Sequence, residues 1–395
     1  MISTQRLPAS LTPLDTALTA LLHRLEPVAA IELPLTEALG CVAADMPPLT
    51  AHPPRDVASS DGWAMRARDL VGASSYSPLP LSTPPTWVEA GDAMPDGCDC
   101  VLDADTIDQA GPVLQAMAEA IPGQGVRRAG GDIAEGSVVA VARRRVVPRD
   151  LLIARTAGLH KLTVRRPRLR IVGIPGGTVT ADLILESARS AGADVVRAEA
   201  TGRDLASIAK ALDAGESDLL LTIGGSGVGR TDATVMALAR RGDVVAHGLA
   251  VQPGRTTAVG RIGATPVIAL PGAPDHAFAA WCTLALPALD RLSGHRPRQS
   301  LNLPLARKIA SGVGVAELVL LERKQESWTT LAVGELSLEA IARAEAWLVV
   351  PAGSEGFAAG TPVDAYMLRE GSSSRTSSAK APCRTTAKAR IRISS

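Results

Sequence analysis

The chain has 395 residues, more than one domain usually contains, and this length predicts two to four domains. Its 46% hydrophobic and 21% charged residues exclude extensive disorder, and no apolar run is long enough for a membrane span. The 41 basic and 40 acidic residues nearly balance; without the six cations of residues 371–395 the remainder is acidic, which argues against a nucleic-acid binder.

The location and redox state follow from what the sequence lacks. The N-terminus has neither a basic segment nor a continuous apolar segment of the kind found in secretory signals, so we expect a cytoplasmic protein. The five cysteines are scattered and show no metal-ligand spacing. Reduced thiols are therefore expected, with no membrane and no nucleic acid as partners.

The first predicted element is an amphipathic helix. Thr12 has the chemistry of a capping residue and Pro13 suits the first helical position. Leucines and alanines then recur at helical spacing from Leu14 to Leu25. From about residue 30 to 150 short apolar runs are broken by Pro, Gly and Asp, for example Val138–Ala142 and Arg145–Val147, which predicts mostly β structure.

Beyond residue 167 strands and helices alternate. The strands are continuously apolar, as in Leu169–Ile174 and Asp218–Ile223, and helices are predicted at about Thr180–Gly192, Leu205–Leu212 and Asp232–Arg240. This pattern predicts a parallel-rich sheet that is covered on both faces. A last helix is predicted from Pro274 to Leu292, with a kink at Pro287.

The C-terminal part changes character again. Short strands at regular intervals between residue 297 and residue 369 predict a small β-barrel. Residues 371–395 are rich in Ser, Thr, Ala, Lys and Arg without periodicity, and we expect a disordered basic tail.

A glycine-rich loop is the most informative motif. The buried strand ending at Ile223 leads into Gly224, Gly225, Gly227 and Gly229 and then into a helix. Backbone N–H groups and a helix N-terminus placed in this way suit a phosphate, although the spacing fits neither the dinucleotide fingerprint nor the P-loop. A tight strand-to-helix connection is the alternative, and a helix N-cap is the alternative for Asp232.

Two further loops follow strands in the same region. Residues 252–257 contain Arg255, a suitable phosphate partner, and residues 270–276 open a helix that carries His276. Loops at the carboxyl ends of parallel strands converge on the ligand in open α/β sheets. For His276 a surface position is the alternative to a catalytic one.

The order of these motifs resembles that of the molybdopterin molybdenumtransferase family, represented by MoeA and the E domain of gephyrin. Earlier segments agree: residues 53–64 end in Asp-Gly-Trp-Ala, like the family's Asp-Gly-aromatic-Ala motif, and residues 89–99 and 130–133 resemble its next two motifs. Residues 344–351 resemble its final barrel strand. Together the similar segments span residues 10 to 370.

The resemblance implies a multidomain fold of the α/β plus β class. It places a linking domain at 10–48 with 138–166, an inserted β-rich domain at 49–137, a molybdopterin-binding three-layer α/β domain at 167–297 and a C-terminal β-barrel at 298–370. It also implies a homodimer whose site lies between the α/β domain of one subunit and the inserted domain of the other.

The implied reaction inserts molybdate into adenylylated molybdopterin with Mg²⁺, releasing AMP and the molybdenum cofactor. The resemblance assigns catalysis to Asp61, Asp132 and Asp232, with Asp61 and Asp232 as metal ligands. It assigns ligand binding to Gly224, Gly225, Ser226, Gly229, Pro253, Gly254, Arg255, Pro271 and Gly272. Turn or cap roles are the alternatives for the three acids. Cofactor-biosynthesis proteins and molybdoenzymes are the further partners it suggests.

Several positions depart from the family pattern. The segment Ile174–Thr178 lacks both acids of the family's Thr-Gly-Asp-Glu-Leu motif, and Gly131, Ala90, Gln252 and Ala273 replace its Glu, Thr, Lys and Asn. Two hypotheses therefore stand together. The chain either retains molybdate insertion or is a non-catalytic paralogue that carries molybdopterin or acts as a scaffold.

Overall fold

The computed structural model describes residues 5–109 and 113–368, so the predicted disordered tail lies outside the described residues. The α-helices of this part are α1 (Leu14–Leu22), α2 (Leu35–Ala38), α3 (Pro148–Thr156), α4 (Thr178–Ser190), α5 (Leu205–Ala211), α6 (Thr234–Arg241), α7 (Pro274–Ala280), α8 (Leu286–Ser293) and α9 (Leu338–Arg343). Short 3₁₀ turns occur at Ala67–Leu70 and Ala104–Thr106, and a π-turn joins α7 to α8. No helix among the described residues is both long and apolar enough to span a bilayer.

The strands of the same residues are mostly short. They are β1 (Thr12–Pro13), β2 (Ile31–Pro34), β3 (Val42–Ala43), β4 (Val57–Ala58), β5 (Gly62–Met65), β6 (Leu79–Pro80), β7 (Thr86–Val88), β8 (Cys100–Leu102), β9 (Ile107–Asp108), β10 (Gln115–Ala116), β11 (Val126–Arg127), β12 (Lys161–Arg165), β13 (Arg168–Gly173), β14 (Asp194–Glu199), β15 (Leu219–Ile223), β16 (Asp243–His247), β17 (Leu249–Gln252), β18 (Ala258–Ile262), β19 (Thr265–Leu270), β20 (Ser300–Pro304), β21 (Ile309–Ala310), β22 (Ala316–Lys324), β23 (Ser327–Val333), β24 (Ala346–Val350), β25 (Gly356–Phe357) and β26 (Pro362–Met367).

A six-stranded sheet forms the centre of the molecule, in the order β14-β13-β15-β19-β18-β16. The first four strands are parallel, and β18 and β16 continue the sheet antiparallel. Alternate residues of β15 face opposite layers: Leu219 and Leu221 join a core with α1, α4, α7 and α8, and Leu220 joins a core with α5 and α6. The predicted parallel-rich sheet between helical layers is therefore observed.

The last long helix of this region is interrupted before its proline. α7 and α8 are joined by a π-turn at Trp281–Ala285, and Pro287 lies in the first turn of α8. Proline cannot donate a backbone hydrogen bond, and its ring crowds the carbonyl four residues earlier. A π-turn widens the helix at that carbonyl, so the predicted irregularity is observed one turn upstream of the proline.

The N-terminus differs from the sequence expectation. Thr12 and Pro13 form β1, which pairs in parallel with β17, and no side chain caps α1. The capping role predicted for Thr12 is therefore wrong, because α1 begins at Leu14 and Pro13 occupies its cap position. α1 packs Ala17 and Leu21 against the core of the six-stranded sheet.

A second large sheet contains most C-terminal strands, in the order β1-β17-β22-β24-β26-β20, with β23 paired to β22. Its core includes Trp328, which is fully buried. The ladders of the described strands run from β1 to β20, and an isolated bridge between Leu305 and Trp328 links the end of β20 to β23; the predicted barrel is not confirmed by this pairing. Helix α9 was not expected from the sequence; Ser337 caps it by accepting from the Ala340 N–H at 3.1 Å.

The region between residues 30 and 165 contains small sheets, ordered β2-β12-β3, β7-β5-β8, β6-β10-β9 and β11-β4. The strand predicted at Val138–Ala142 is wrong, since those residues form bends and irregular backbone, and Arg145 forms an isolated bridge to Val42 instead of a strand. Helix α3 was missed, although Pro148 at its start and the Asp150 carboxylate, which accepts from the Val147 N–H at 2.8 Å, are start signals. The domain boundaries remain a prediction.

The cysteines of the described part are free thiols. Burial raises the pKa of Cys282 to about 12 and that of Cys100 to about 11. These two thiols are therefore protonated at neutral pH and unreactive, since the thiolate is the nucleophile.

Candidate functional site

A cleft of about 280 Å³ lies at the carboxyl ends of β13, β15 and β19. Three loops that follow these strands form its walls, together with residues from two other loops. The lining residues are Ile174, Gly176, Gly177, Arg203, Gly224, Gly225, Gly227, Asp232, Thr256, Pro271, Gly272, Ala273 and His276. This is the edge of a parallel sheet at which ligands are expected to bind.

The glycine loop provides two unused amides to this cleft. Gly224 and Gly225 have φ values of +96° and +69°, which favour glycine. The Gly224 N–H donates to the Leu270 carbonyl at 2.9 Å and is therefore occupied. The N–H groups of Gly225 and Gly227 find no acceptor within the described part of the chain. These two amides can donate to an anionic ligand.

The opposite wall is formed by Gly272. An ideal Cβ on Gly272 would lie 3.5 Å from the Gly224 Cα, an ordinary van der Waals contact, so the two glycines pack closely where the loops after β15 and β19 meet. The Gly272 carbonyl accepts from Thr180 Oγ1 at 2.7 Å, which fixes this wall to α4. α4 begins directly after Gly177, and no side chain caps its N-terminus. The open end of α4 favours negative charge at this side of the cleft.

Asp232 closes the glycine loop and forms an ion pair. Its Oδ2 accepts from the Gly229 N–H at 2.9 Å, and its Oδ1 lies 3.2 Å from Arg203 Nη2. α6 starts two residues later with Ala233 at its cap and no side-chain cap bond, so the N-cap alternative for Asp232 is wrong. The Gly229 N–H already donates to Asp232, and Gly229 does not line the cleft, so its amide is not available to a ligand there.

Gln5 was not singled out from the sequence, yet it holds the glycine loop from behind. Its side chain is 5% exposed. Nε2 donates to the carbonyls of Gly225 and Gly227, and Oε1 accepts from the amides of Val235 and Met236. The Gln5 side chain therefore provides hydrogen-bond partners for two backbone amides at the start of α6 and for two carbonyls of the glycine loop.

Ser226 lies inside this loop and does not line the cleft. It is fully buried, and its carbonyl accepts from His247 Nε2 at 3.0 Å. Burial lowers the pKa of His247, although the bond to Ser226 opposes the shift. Ser226 Oγ has no hydrogen-bond partner within the described residues.

Pro253, Gly254 and Arg255 do not line the cleft, although their loop reaches it. Arg255 is exposed, and the loop contributes Thr256 to the lining instead. The Gly254 carbonyl accepts from Thr257, and an ideal Cβ on Gly254 would lie 3.5 Å from the His276 carbonyl. The loop therefore packs behind the start of α7. Of the residues predicted in the third loop, Pro271 and Gly272 both line the cleft.

Asp61 and Asp132 are not among the residues that line the cleft. Asp61 follows β4 and its Oδ1 accepts from the Ala90 N–H at 2.8 Å. Asp132 forms an ion pair with Arg127 at 3.1 Å, and its amide donates to the His52 carbonyl. Because β11 runs antiparallel to β4, the two acids lie at opposite ends of this short ladder. Within one chain, the structure does not bring the three predicted acids together.

Magnesium does not fit the carboxylate that the cleft provides. Asp232 is the sole carboxylate among the lining residues, and both of its oxygens are engaged. The partner on one side is the Arg203 guanidinium, a fixed cation. No cluster of three or more His, Cys, Asp or Glu side chains suited to a metal ion occurs in residues 5–109 and 113–368. The arrangement instead suits an anion.

Arg203 is the second residue that the sequence did not single out. It precedes α5, in the loop that follows β14, and β14 is parallel to β13. The rule that loops after parallel strands converge applies to this loop as well, so the signal was present. His276, for which the sequence allows a surface or a catalytic position, lines the cleft, and about one third of its side chain is exposed.

Comparison with known families gives two matches. The sequence model of the MoeA N-terminal region (domain I and II) matches residues 12–158. The model of the probable molybdopterin binding domain matches residues 176–291, which contain the glycine loop and nearly all of the cleft.

Known proteins resemble the chain over most of its length. A molybdopterin molybdenumtransferase 2 of Mycobacterium tuberculosis is 28% identical, with 86% of this chain and 95% of that protein covered. A putative molybdopterin biosynthesis protein of Methanocaldococcus jannaschii is 24% identical, with 86% and 92% covered. The crystal structure of the molybdopterin biosynthesis MoeA protein of Pyrococcus horikoshii OT3 superposes on this structure with a TM-score of 0.66. The sequence identity is 21%, and the superposition covers 91% of this chain and 100% of that one.

Proposed function

The chain belongs to the MoeA family, and on that premise we propose that it is a molybdopterin molybdenumtransferase of molybdenum cofactor biosynthesis. The proposed reaction inserts molybdate into adenylylated molybdopterin and releases AMP. The observation that carries the proposal is the cleft lined by the loops after β13, β15 and β19, nearly all of which lies within the matched molybdopterin-binding region. The names of the bacterial relatives support the same activity.

The walls of the cleft suit the anionic end of such a substrate. Glycines on both walls remove side chains that would keep a ligand from the backbone. The free amides of Gly225 and Gly227 and the open end of α4 point to a phosphate. Arg203 contributes a positive charge at the same place.

The proposed chemistry balances without an oxidant or a reductant. The two substrate thiols each form a bond to molybdenum, and one oxo group of molybdate leaves with their two protons as water. Cleavage of the phosphoanhydride consumes one water and releases AMP. The chain's role is to hold the phosphate end while the sulfur atoms meet molybdate. Magnesium has no part in this proposal, because its expected ligand Asp232 is paired with Arg203.

We also propose that a second copy of the chain completes the site. Asp61 and Asp132 are exposed and do not line the cleft of their own chain. In a homodimer the inserted region of one copy would bring carboxylates to the cleft of the other, where they can accept the thiol protons. The cytoplasm remains the location predicted from the sequence.

The test supplies adenylylated molybdopterin and molybdate to the purified chain and measures AMP and active cofactor. We expect both products, and we expect Gly272→Val to abolish them because its side chain would fill the cleft. Gly353→Val is the matched control, since Gly353 is exposed, does not line the cleft and has no atom within 4 Å of an ideal Cβ. Tight molybdopterin binding without AMP release would refute catalysis and establish the carrier hypothesis.

A further inference from the structure

The Arg203 side chain is held in one orientation at the edge of the cleft. Nη1 donates to the Pro175 carbonyl at 2.8 Å and Nη2 to Asp232 Oδ1 at 3.2 Å. These bonds join the loop after β13 to the glycine loop after β15. Gly176 leaves room for the guanidinium, since an ideal Cβ there would lie 3.3 Å from Nη1. The guanidinium is therefore held in the cleft wall by hydrogen bonds to two loops.

This arrangement disfavours a divalent cation. A cation at Asp232 would have to displace Arg203 or lie beside its positive charge, and the other carboxylate oxygen already accepts from Gly229. Among the described residues of the same chain, no second carboxylate lines the cleft to compensate. Magnesium requires oxygen ligands with strict geometry, which a paired carboxylate cannot provide.

The same arrangement favours an oxyanion. Two of the five guanidinium N–H groups are used by Pro175 and Asp232, and the side chain is 42% exposed, so the others can reach a ligand. Gly225 and Gly227, whose amides are unused within the described residues, line the same cleft. A planar guanidinium fits a phosphate through paired hydrogen bonds, which an ammonium group cannot reproduce.

We infer that Arg203 binds the phosphate group of the ligand directly, so that this cleft takes its ligand without a divalent cation. The inference rests on the proposed function for the identity of the ligand, molybdopterin. It assigns a binding role to a residue outside the motifs noted in the sequence. It also gives Asp232 the role of orienting Arg203.

The cation part of the inference is tested without any pterin. Mn²⁺ is titrated into the wild-type chain and into Asp232→Asn, and bound ion is followed by the loss of the free-ion signal in electron paramagnetic resonance. We expect the two proteins to give the same titration, with no ion held through Asp232. One ion bound per wild-type chain and lost in Asp232→Asn would overturn the inference.

The anion part is tested with molybdopterin, whose fluorescence reports binding, in EDTA and again in excess Mg²⁺. We expect equal wild-type affinity in both conditions, and a loss of about tenfold in Arg203→Ala. Arg203→Lys should recover only part of the loss, because it keeps the charge without the paired donors. Arg230→Ala removes an exposed cation of the same glycine loop that does not line the cleft, and it should bind like the wild type.

The possible failures can be told apart. Wild-type binding that disappears in EDTA contradicts the inference and leaves the proposed function intact. Equal molybdopterin affinity of the wild type and Arg203→Ala likewise contradicts the inference and leaves the proposed function intact. Absence of molybdopterin binding in every condition refutes the proposed function, and the Mn²⁺ titration still decides whether the cleft holds a cation. Circular dichroism confirms that each variant is folded.

Discussion

The side-chain amide of Gln5 donates to the Gly227 carbonyl at 2.6 Å, although the two residues are 222 positions apart. The glycine loop is therefore held from one side by the N-terminal segment and from the other by Asp232 and Arg203. A loop rich in glycine loses much conformational entropy when it orders, so such anchors matter for its shape.

Gln5→Ala should destabilise the protein. The change removes four hydrogen bonds and leaves the carbonyls of Gly225 and Gly227 and the amides of Val235 and Met236 without their partner. We expect the free energy of unfolding to fall by about 2 kcal/mol. Urea denaturation measures it, with the exposed neighbour Arg6→Ala as the control. Equal stability of both variants would show that Gln5 is dispensable.

Gly272→Val should weaken ligand binding more than folding. Gly272 has no positive φ, and an ideal Cβ makes ordinary contact with Gly224, so the change narrows the cleft without straining the backbone. Molybdopterin affinity should fall at least tenfold, about 1.4 kcal/mol. Fluorescence titration measures this, and an unchanged affinity in a folded variant would mean that the ligand binds elsewhere.

Gly225 is a less suitable position for this test. Its φ is +69°, and an added Cβ would overlap Thr234 Oγ1, which donates to the Gly224 carbonyl at 2.9 Å. We expect Gly225→Val to lower stability and binding together. Thermal denaturation separates the two variants, since the melting temperature of Gly272→Val should stay near that of the wild type.

His247 should make stability depend on pH. Burial lowers its pKa from the ordinary value of 6.5, so the folded state keeps the neutral ring while the unfolded state binds a proton as the pH falls through 6.5. The free energy of unfolding should therefore fall between pH 7.5 and pH 5.5, by less than about 1.4 kcal/mol per pH unit from this one group. Denaturation at several pH values measures the slope.

The variant His247→Gln tests this assignment. Glutamine retains an N–H that can donate to the Ser226 carbonyl but does not titrate, so the slope should become shallower. His160→Gln changes an exposed histidine, and its profile should follow that of the wild type. A slope unaffected by His247→Gln would assign the pH dependence to other groups.

Asp290→Ala should be strongly destabilising. The Asp290 carboxylate pairs with Arg145 at 3.0 Å and with Arg298 at 2.6 Å, and all three side chains are mostly buried. Removing the acid leaves two buried cations without their shared counterion, which costs about 3–5 kcal/mol. Glu216→Ala, which breaks an exposed ion pair with Arg168, should cost less than about 1 kcal/mol. Comparable losses in urea denaturation would contradict this reasoning.

The proposed shared site predicts complementation between subunits. Asp61→Ala and Gly272→Val should each lack AMP release if a complete site needs both residues from different chains. After mixing and subunit exchange, half of the dimers carry one intact site, which restores about a quarter of wild-type activity. No recovery in mixtures shown to contain heterodimers would place both residues in one chain's site.

The position of the cleft could be predicted from the sequence, but the ion pair inside it could not. The apolar strand ending at Ile223 and the glycines after it are local signals, so the sheet and the glycine walls at Gly224 and Gly272 were predictable. The ion pair of Asp232 was not predictable, because Arg203 lies 29 positions away and meets it only through the packing of parallel strands. Gln5 gave no signal at all. The two-residue strand β1 was missed because Thr12 and Pro13 also suit a helix start.

The pairing of β17 with β22 joins the cleft to the C-terminal sheet. β17 aligns Val251 with Ala316, and the chain then runs directly into the loop that supplies Thr256. A fragment limited to residues 167–297 would leave β17 without its partner and expose a strand edge that invites aggregation. β17 thus ties the α/β unit to the C-terminal sheet, and we expect an insertion in β22 to reach the cleft through β17, about 60 positions away in sequence.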